Sequence, residues 1–130
     1  MLKRGYNVYV LDTSAIIEIS GNTQKGKKVL EMIGEETART TSFSVHETLA
    51  GMPEQESFVI RGLSHTMEIL SFGQSDAEIS SSIEKKLMKQ GSPVNKVDMF
   101  IAGICIAHDA TIVTLDKGFK KIPGLKVIEI

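Results

Sequence analysis

The chain has 130 residues, 42% hydrophobic and 24% charged, a mixture that fits one globular domain over residues 1–130 and excludes a disordered chain. Fifteen Lys and Arg against sixteen Asp and Glu give a net charge of −1, which excludes a uniformly basic nucleic-acid binder but leaves room for basic groups beside clustered acids. One cysteine, Cys105, excludes an internal disulfide and a Cys/His zinc set, and no apolar run reaches the ~20 residues of a membrane span.

In chain order, Tyr6 to Leu11 is a β-rich run and is expected to form a strand. Asp12-Thr13-Ser14 follows at once and caps a helix over Ala15 to Ile19, which Ser20-Gly21-Asn22 stops. Thr23 to Ile33 places Val29, Leu30 and Ile33 on one helical face with lysines opposite. Arg39 to Thr41 is a short strand, Ser44 to Leu49 a helix broken by Gly51-Met52-Pro53, and Glu54 to Leu63 another helix. Met67 to Ser71 alternates as a strand does.

Ser75 opens a long helix to about Gln90, with Glu78 at capping-box spacing. Gly91-Ser92-Pro93 is a loop, and Asn95 starts a helix that stays apolar through Ala107. Within it Cys105 reads as a small buried core residue. Thr111 to Leu115 is a strand, Gly118 and Pro123-Gly124 are turns, and Leu125 to Ile130 is a closing edge strand. Strands separated by helices imply an α/β domain, a parallel sheet of about five strands with helices on both faces. Ligands of such sheets sit beyond the carboxyl ends of the strands.

Acids at those ends are the candidates. Asp12 follows the first strand and Asp116 ends the strand beginning at Thr111, while Glu47 and Asp98 lie near the starts of helices. If those helices begin at the same edge, as helices next to adjacent strands do, the four carboxylates, distant in sequence, are expected to converge there. A hard cation such as Mg²⁺ is held by a few carboxylates and substrate phosphate. It polarises a phosphodiester and lowers the pKa of an attacking water. Each acid also has a structural reading. Asp12 caps a helix; Glu47 stands three residues after Ser44, as in a capping box; Asp98 sits in a first helical turn, where the helix dipole favours it; Asp116 is a turn residue.

Four segments, in order, carry a resemblance. They are Tyr9-Val-Leu-Asp12-Thr-Ser-Ala-Ile-Ile17, Thr40-Thr-Ser-Phe-Ser-Val-His-Glu47-Thr-Leu-Ala-Gly51, Gly91-Ser-Pro through Asp98 to Thr114, and Thr114-Leu-Asp116-Lys-Gly-Phe on to Val127. Together they resemble the PIN-domain family, and within it the small toxin ribonucleases of VapBC-type toxin–antitoxin modules. The resemblance implies that Asp12, Glu47 and Asp98 are core metal ligands and that Asp116 fills a fourth, more variable acidic position. Ser14 and Thr114 support them by hydrogen bonding. It further implies Mg²⁺- or Mn²⁺-dependent hydrolysis of RNA phosphodiesters, a small antitoxin protein as partner, a homodimer and a cytoplasmic location. The last motif, Thr-Leu-Asp, departs from the commoner Thr-x-Asn.

Other signals lead nowhere. Gly21-Asn-Thr-Gln-Lys-Gly26-Lys27-Lys28 approaches a phosphate-binding loop but has Lys where a Ser or Thr hydroxyl is needed, and it follows a helix. His46-Glu47 begins a zinc-protease motif that Ala50 breaks. No G-x-S-x-G nucleophile elbow occurs. Aromatics at 5% and no Trp argue against a base-stacking platform. Three lysine groups (Lys25, Lys27, Lys28; Lys85, Lys86, Lys89; Lys117, Lys120, Lys121) read as solvated faces. The first and last, near Asp12 and Asp116, are placed to contact RNA phosphates without reading sequence. Three alternatives stay open: a PIN nuclease for RNA processing without an antitoxin, a catalytically idle PIN scaffold that binds protein or RNA, and a flavodoxin-like phosphoacceptor module with Asp12 after its first strand.

Overall fold

The computed structural model describes residues 7–130. Five strands form one parallel sheet in the order β3-β2-β1-β4-β5: β1 Tyr9–Leu11, β2 Ala38–Thr41, β3 Glu68–Leu70, β4 Thr111–Thr114 and β5 Lys126–Glu129. Around it lie α1 Thr13–Ser20, α2 Gln24–Ile33, α3 Ser42–Ala50, α4 Ser57–His65, α5 Gln74–Gln90 and α6 Lys96–Ala107, with single 3₁₀ segments at Glu54–Glu56 and Lys117–Lys121.

Strand alternation divides the core. Val10 and Ile112 pair across β1 and β4 and face α5 and α6, packing with Ile83, Leu87, Met99 and Ile104. Their neighbours Leu11 and Val113 point the other way, onto Ala15 and Ile16 of α1, Val29 of α2 and Ile60 of α4. Both faces of the sheet are therefore covered, so its central strands are apolar on both sides. β1 and β4 are the middle of the sheet. Asp12 and Asp116, which follow them, consequently emerge at its centre, as expected for an open parallel sheet.

Two glycines let helices approach closely. A Cβ on Gly26 of α2 would stand 2.2 Å from the Glu18 carbonyl oxygen of α1, and one on Gly103 of α6 would stand 2.6 Å from the Asp76 carbonyl oxygen of α5. Phe43, Phe72 and Phe100 pack ring to ring, with centroids 5.7, 5.6 and 4.8 Å apart, joining the first turn of α3 and the second turn of α6 to the loop before α5.

Several element boundaries differ from the sequence expectation, each for a local reason. β1 spans Tyr9–Leu11, and the expected start at Tyr6 falls outside the described residues. α3 begins at Ser42 directly from β2, because the Thr41 side chain accepts from Ser44 N (3.2 Å). α5 begins at Gln74, and the Asp76 carboxylate accepts from Gly73 N (2.8 Å), so the Ser75–Glu78 capping box does not form. The helix expected over Glu54 to Leu63 is a 3₁₀ turn followed by α4.

Candidate metal centre

Asp12 is the anchor of the site. It sits at the junction of β1 and α1, 5% exposed, and its Oδ1 accepts from Ala15 N (3.0 Å), which caps α1. The same oxygen accepts from Ser14 Oγ (2.6 Å), and Oδ2 accepts from the hydroxyl of Thr114, at the end of β4. Ser14 Oγ in turn accepts from Leu115 N (2.9 Å), and Thr114 Oγ1 from Asp116 N (2.9 Å). Ser14 and Thr114 thus bind Asp12 and the β4 exit into one network. Burial raises the Asp12 carboxyl above its ordinary pKa, against the pull of the Ser14, Thr114 and Ala15 donors; the Asp116 charge adds to the rise.

The other acids come from three further elements. Glu47 stands in the second turn of α3, exposed, and Thr13 Oγ1 donates to its Oε1 (2.8 Å). Its capping-box reading is corrected: Thr41 caps α3, and Ser44 lies inside the helix. Asp98 is the third residue of α6, yet Asn95 does the capping there, accepting from Val97 N (2.9 Å) and Asp98 N (3.4 Å). The Asp98 carboxylate is therefore free to face the cleft. Asp116 caps the Lys117–Lys121 turn, accepting from Gly118 N (2.8 Å) through Oδ1, so its turn reading holds alongside its place at the site.

All four acids line a single open cleft of about 280 Å³, with Thr13, Ser14, Ile17, Ile101 and Phe119. Burial, followed by the charges of Asp116, Glu47 and Asp12, pushes Asp98 from 3.8 up to about 6. Burial is the largest part of that shift, and the part added by the three neighbours records like charges sharing a confined space. Among the described residues no three acidic, histidine or cysteine side chains are already drawn together as a metal-binding set. The carboxylates repel one another across the cleft. A divalent cation between them would offset that repulsion, and an all-oxygen donor set with room for water suits Mg²⁺ or Mn²⁺. By donor chemistry the residues fit such an ion.

Sequence reasoning did not single out Thr13, Ile17, Ile101 or Phe119. Ile17 lies one helical turn from Thr13, so helical spacing from the Asp-Thr-Ser segment was a usable signal for it. The Thr13 contact joins positions 34 apart and had no local signal. Of the lysines, Lys120 pairs with Glu129 (3.1 Å), while the near-loop at Gly21 to Lys28 is the α1–α2 turn and the start of α2, capped by Thr23. Cys105 is buried and its thiol is pushed up to about 12, by burial and then by the Asp12 charge.

Comparison with known proteins gives a consistent result. The PIN domain model matches residues 9–125. The chain is 27% identical over 127 residues to the tRNA(fMet)-specific endonuclease VapC of Salmonella typhimurium, covering 92% of this chain and 95% of that one. It is 36% identical over 97 residues to Ribonuclease VapC3 of Methanocaldococcus jannaschii, covering 73% and 95%. In fold it is similar to a chain of VapBC2 from Rickettsia felis bound to a DNA fragment from their promoter, with a TM-score of 0.83, 23% identity, and 95% of this chain and 98% of that chain covered. A parallel five-stranded sheet with acids gathered at its central carboxyl edge, and a family model that spans nearly all of it, lead to one assignment: the chain belongs to the PIN domain family.

Proposed function

We propose that this protein is a metal-dependent endoribonuclease, the toxin of a toxin–antitoxin pair, hydrolysing RNA phosphodiester bonds. The observation that carries the reading is the convergence of Asp12, Glu47, Asp98 and Asp116, from four separate elements, on one cleft. The relatives named as an endonuclease and a ribonuclease support the activity. Fold neighbours described as toxin–antitoxin complexes, including one from Klebsiella pneumoniae, support a small antitoxin protein as partner.

In this reading the four carboxylates hold one or two Mg²⁺ or Mn²⁺ ions. Bound there, the ion supplies positive charge to the scissile phosphate and lowers the pKa of the attacking water. The protein contributes placement. Asp12 is fixed by Ser14, Thr114 and the Ala15 amide, so at least one ligand is held before anything binds. Asp98 from α6 and Asp116 from the end of β4 bring further negative charge to the same cleft. Ile101 and Phe119, both buried, and the exposed Ile17 give the cleft its apolar lining. Lys117 and Lys121, exposed beside Asp116, favour approach of an RNA backbone without selecting a sequence. Among the described residues no helix is long and apolar enough to cross a membrane. A cytoplasmic location and a homodimer are carried by the family likeness.

The test is cleavage of a panel of structured and single-stranded RNAs with Mg²⁺ or Mn²⁺ against EDTA, for the wild type, Asp12→Asn and Asp98→Asn. Metal-dependent cutting abolished by both substitutions is expected. Cutting that survives EDTA and both substitutions would refute the site, and absence of both cutting and metal binding would favour an idle binding scaffold.

A further inference from the structure

We infer that Thr13 is the positioning residue for Glu47. The inference rests on the metal-centre reading above and names a group that reading does not require. Glu47 has the longest side chain of the four acids and lies exposed on the surface of its helix. Among the described residues the Thr13 hydroxyl is the one hydrogen-bond partner of its carboxylate. Asp12, by contrast, receives three hydrogen bonds. An exposed Glu has three side-chain torsions to order, so an untethered Glu47 loses more freedom on binding a cation than the buried Asp12 does.

Thr13 is well built for the task. It is the first residue of α1, next to Asp12, and Asp12 fixes the start of that helix through Ala15 N. The Thr13 side chain therefore starts from one of the most constrained points of the site. Its hydroxyl crosses to α3 and occupies Oε1, and among the described residues Oε2 has no hydrogen-bond partner and is available to a cation. The contact thus couples the buried end of the site to its exposed end, and it pre-orders a ligand whose own helix does not. Removing such a supporting group typically weakens metal binding about 10- to 100-fold.

The test uses the full chain and Mn²⁺ as the probe, with affinity read by calorimetric titration and kcat and KM on a cleaved RNA read separately. Thr13→Val, which removes only the hydroxyl, is expected to weaken Mn²⁺ at least tenfold and to lower kcat at saturating metal little. Thr13→Ser is expected to restore wild-type affinity. In a Glu47→Ala background, which removes the acceptor, Thr13→Val is expected to add no further loss, a result that a purely structural role of Thr13 would not produce. Wild-type Mn²⁺ affinity in Thr13→Val, with Glu47→Gln impaired, overturns the inference and leaves the metal centre standing. Unchanged affinity in Glu47→Gln overturns the assignment of Glu47 itself.

Discussion

Asp98 faces three other carboxylates from a half-buried position, so the metal-free fold carries a cost that Asp98→Asn removes. The carboxyl titrates near 6 in the folded protein, against 3.8 in an ordinary setting. Below pH 3.8 both folded and unfolded chains hold the proton and Asp98 contributes nothing. As pH rises from 3.8 through about 6 the unfolded chain ionises first, so stability falls across that window, and above it the whole penalty is present. At 1.36 kcal/mol per pKa unit the penalty is about 3 kcal/mol, which partial exposure of the carboxyl to water reduces to about 1–2 kcal/mol. For a chain of this length that corresponds to a rise in melting temperature of roughly 3–8 °C.

The assay is thermal unfolding in EDTA from pH 4 to 8. Asp98→Asn is expected to melt above the wild type at pH 7.5, and the gap is expected to close toward pH 4. With Mn²⁺ in large excess the order should reverse, because only the wild type gains the full binding free energy, about 2.7 kcal/mol at 100 times the Kd. An Asp98→Asn protein that melts at or below the wild type in EDTA at pH 7.5 would refute the electrostatic account of the cleft.

Thr114→Val keeps the shape of a fully buried side chain but removes the donor to Asp12 and the acceptor for Asp116 N; a loss of about 1–3 kcal/mol is expected in urea unfolding. Gly103→Ala should lower stability more than an ordinary helical Gly→Ala, which normally helps, because the new methyl meets the Asp76 backbone at 2.6 Å and pushes α6, with Asp98, off α5. Unchanged melting of that variant would show that the two helices separate freely. Cys105, buried and titrating near 12, should resist thiol reagents in native buffer and react fully in denaturant.

Much of this fold is legible in the sequence because strand and helix alternate with clear punctuation. Leu11-Asp12 and Thr114-Leu115-Asp116 place acids directly after apolar strands, and a parallel sheet then brings both to one edge. Cap positions are less legible. Thr41 and Ser44 are equally good capping residues three positions apart, and only the direct passage from β2 into α3 selects Thr41. At α5 two pairs with the same spacing compete, Gly73 with Asp76 and Ser75 with Glu78. The winner is fixed by tertiary packing, since Asp76 is buried where Gly103 of α6 approaches its backbone. The Thr13 to Glu47 bond is of the same kind, a consequence of α1 meeting α3 that no local pattern encodes.

The central pairing of β1 with β4 joins residues about one hundred positions apart, and the acids of the cleft occur in the order 12, 47, 98 and 116 along the chain. During synthesis, therefore, Asp12 emerges 102 residues before its Thr114 partner, and Asp116 follows later still. A ribosome-bound chain holds no complete acid set until β4 has left the exit tunnel and docked beside β1, a long-range step that is slow by its topology. Truncated products that end before Thr111 lack both Thr114 and Asp116 and cannot assemble the cleft. For a protein proposed to cut the cell's own RNA, the order of elements delays the hazard until the last of the four acids has been made and β4 has docked.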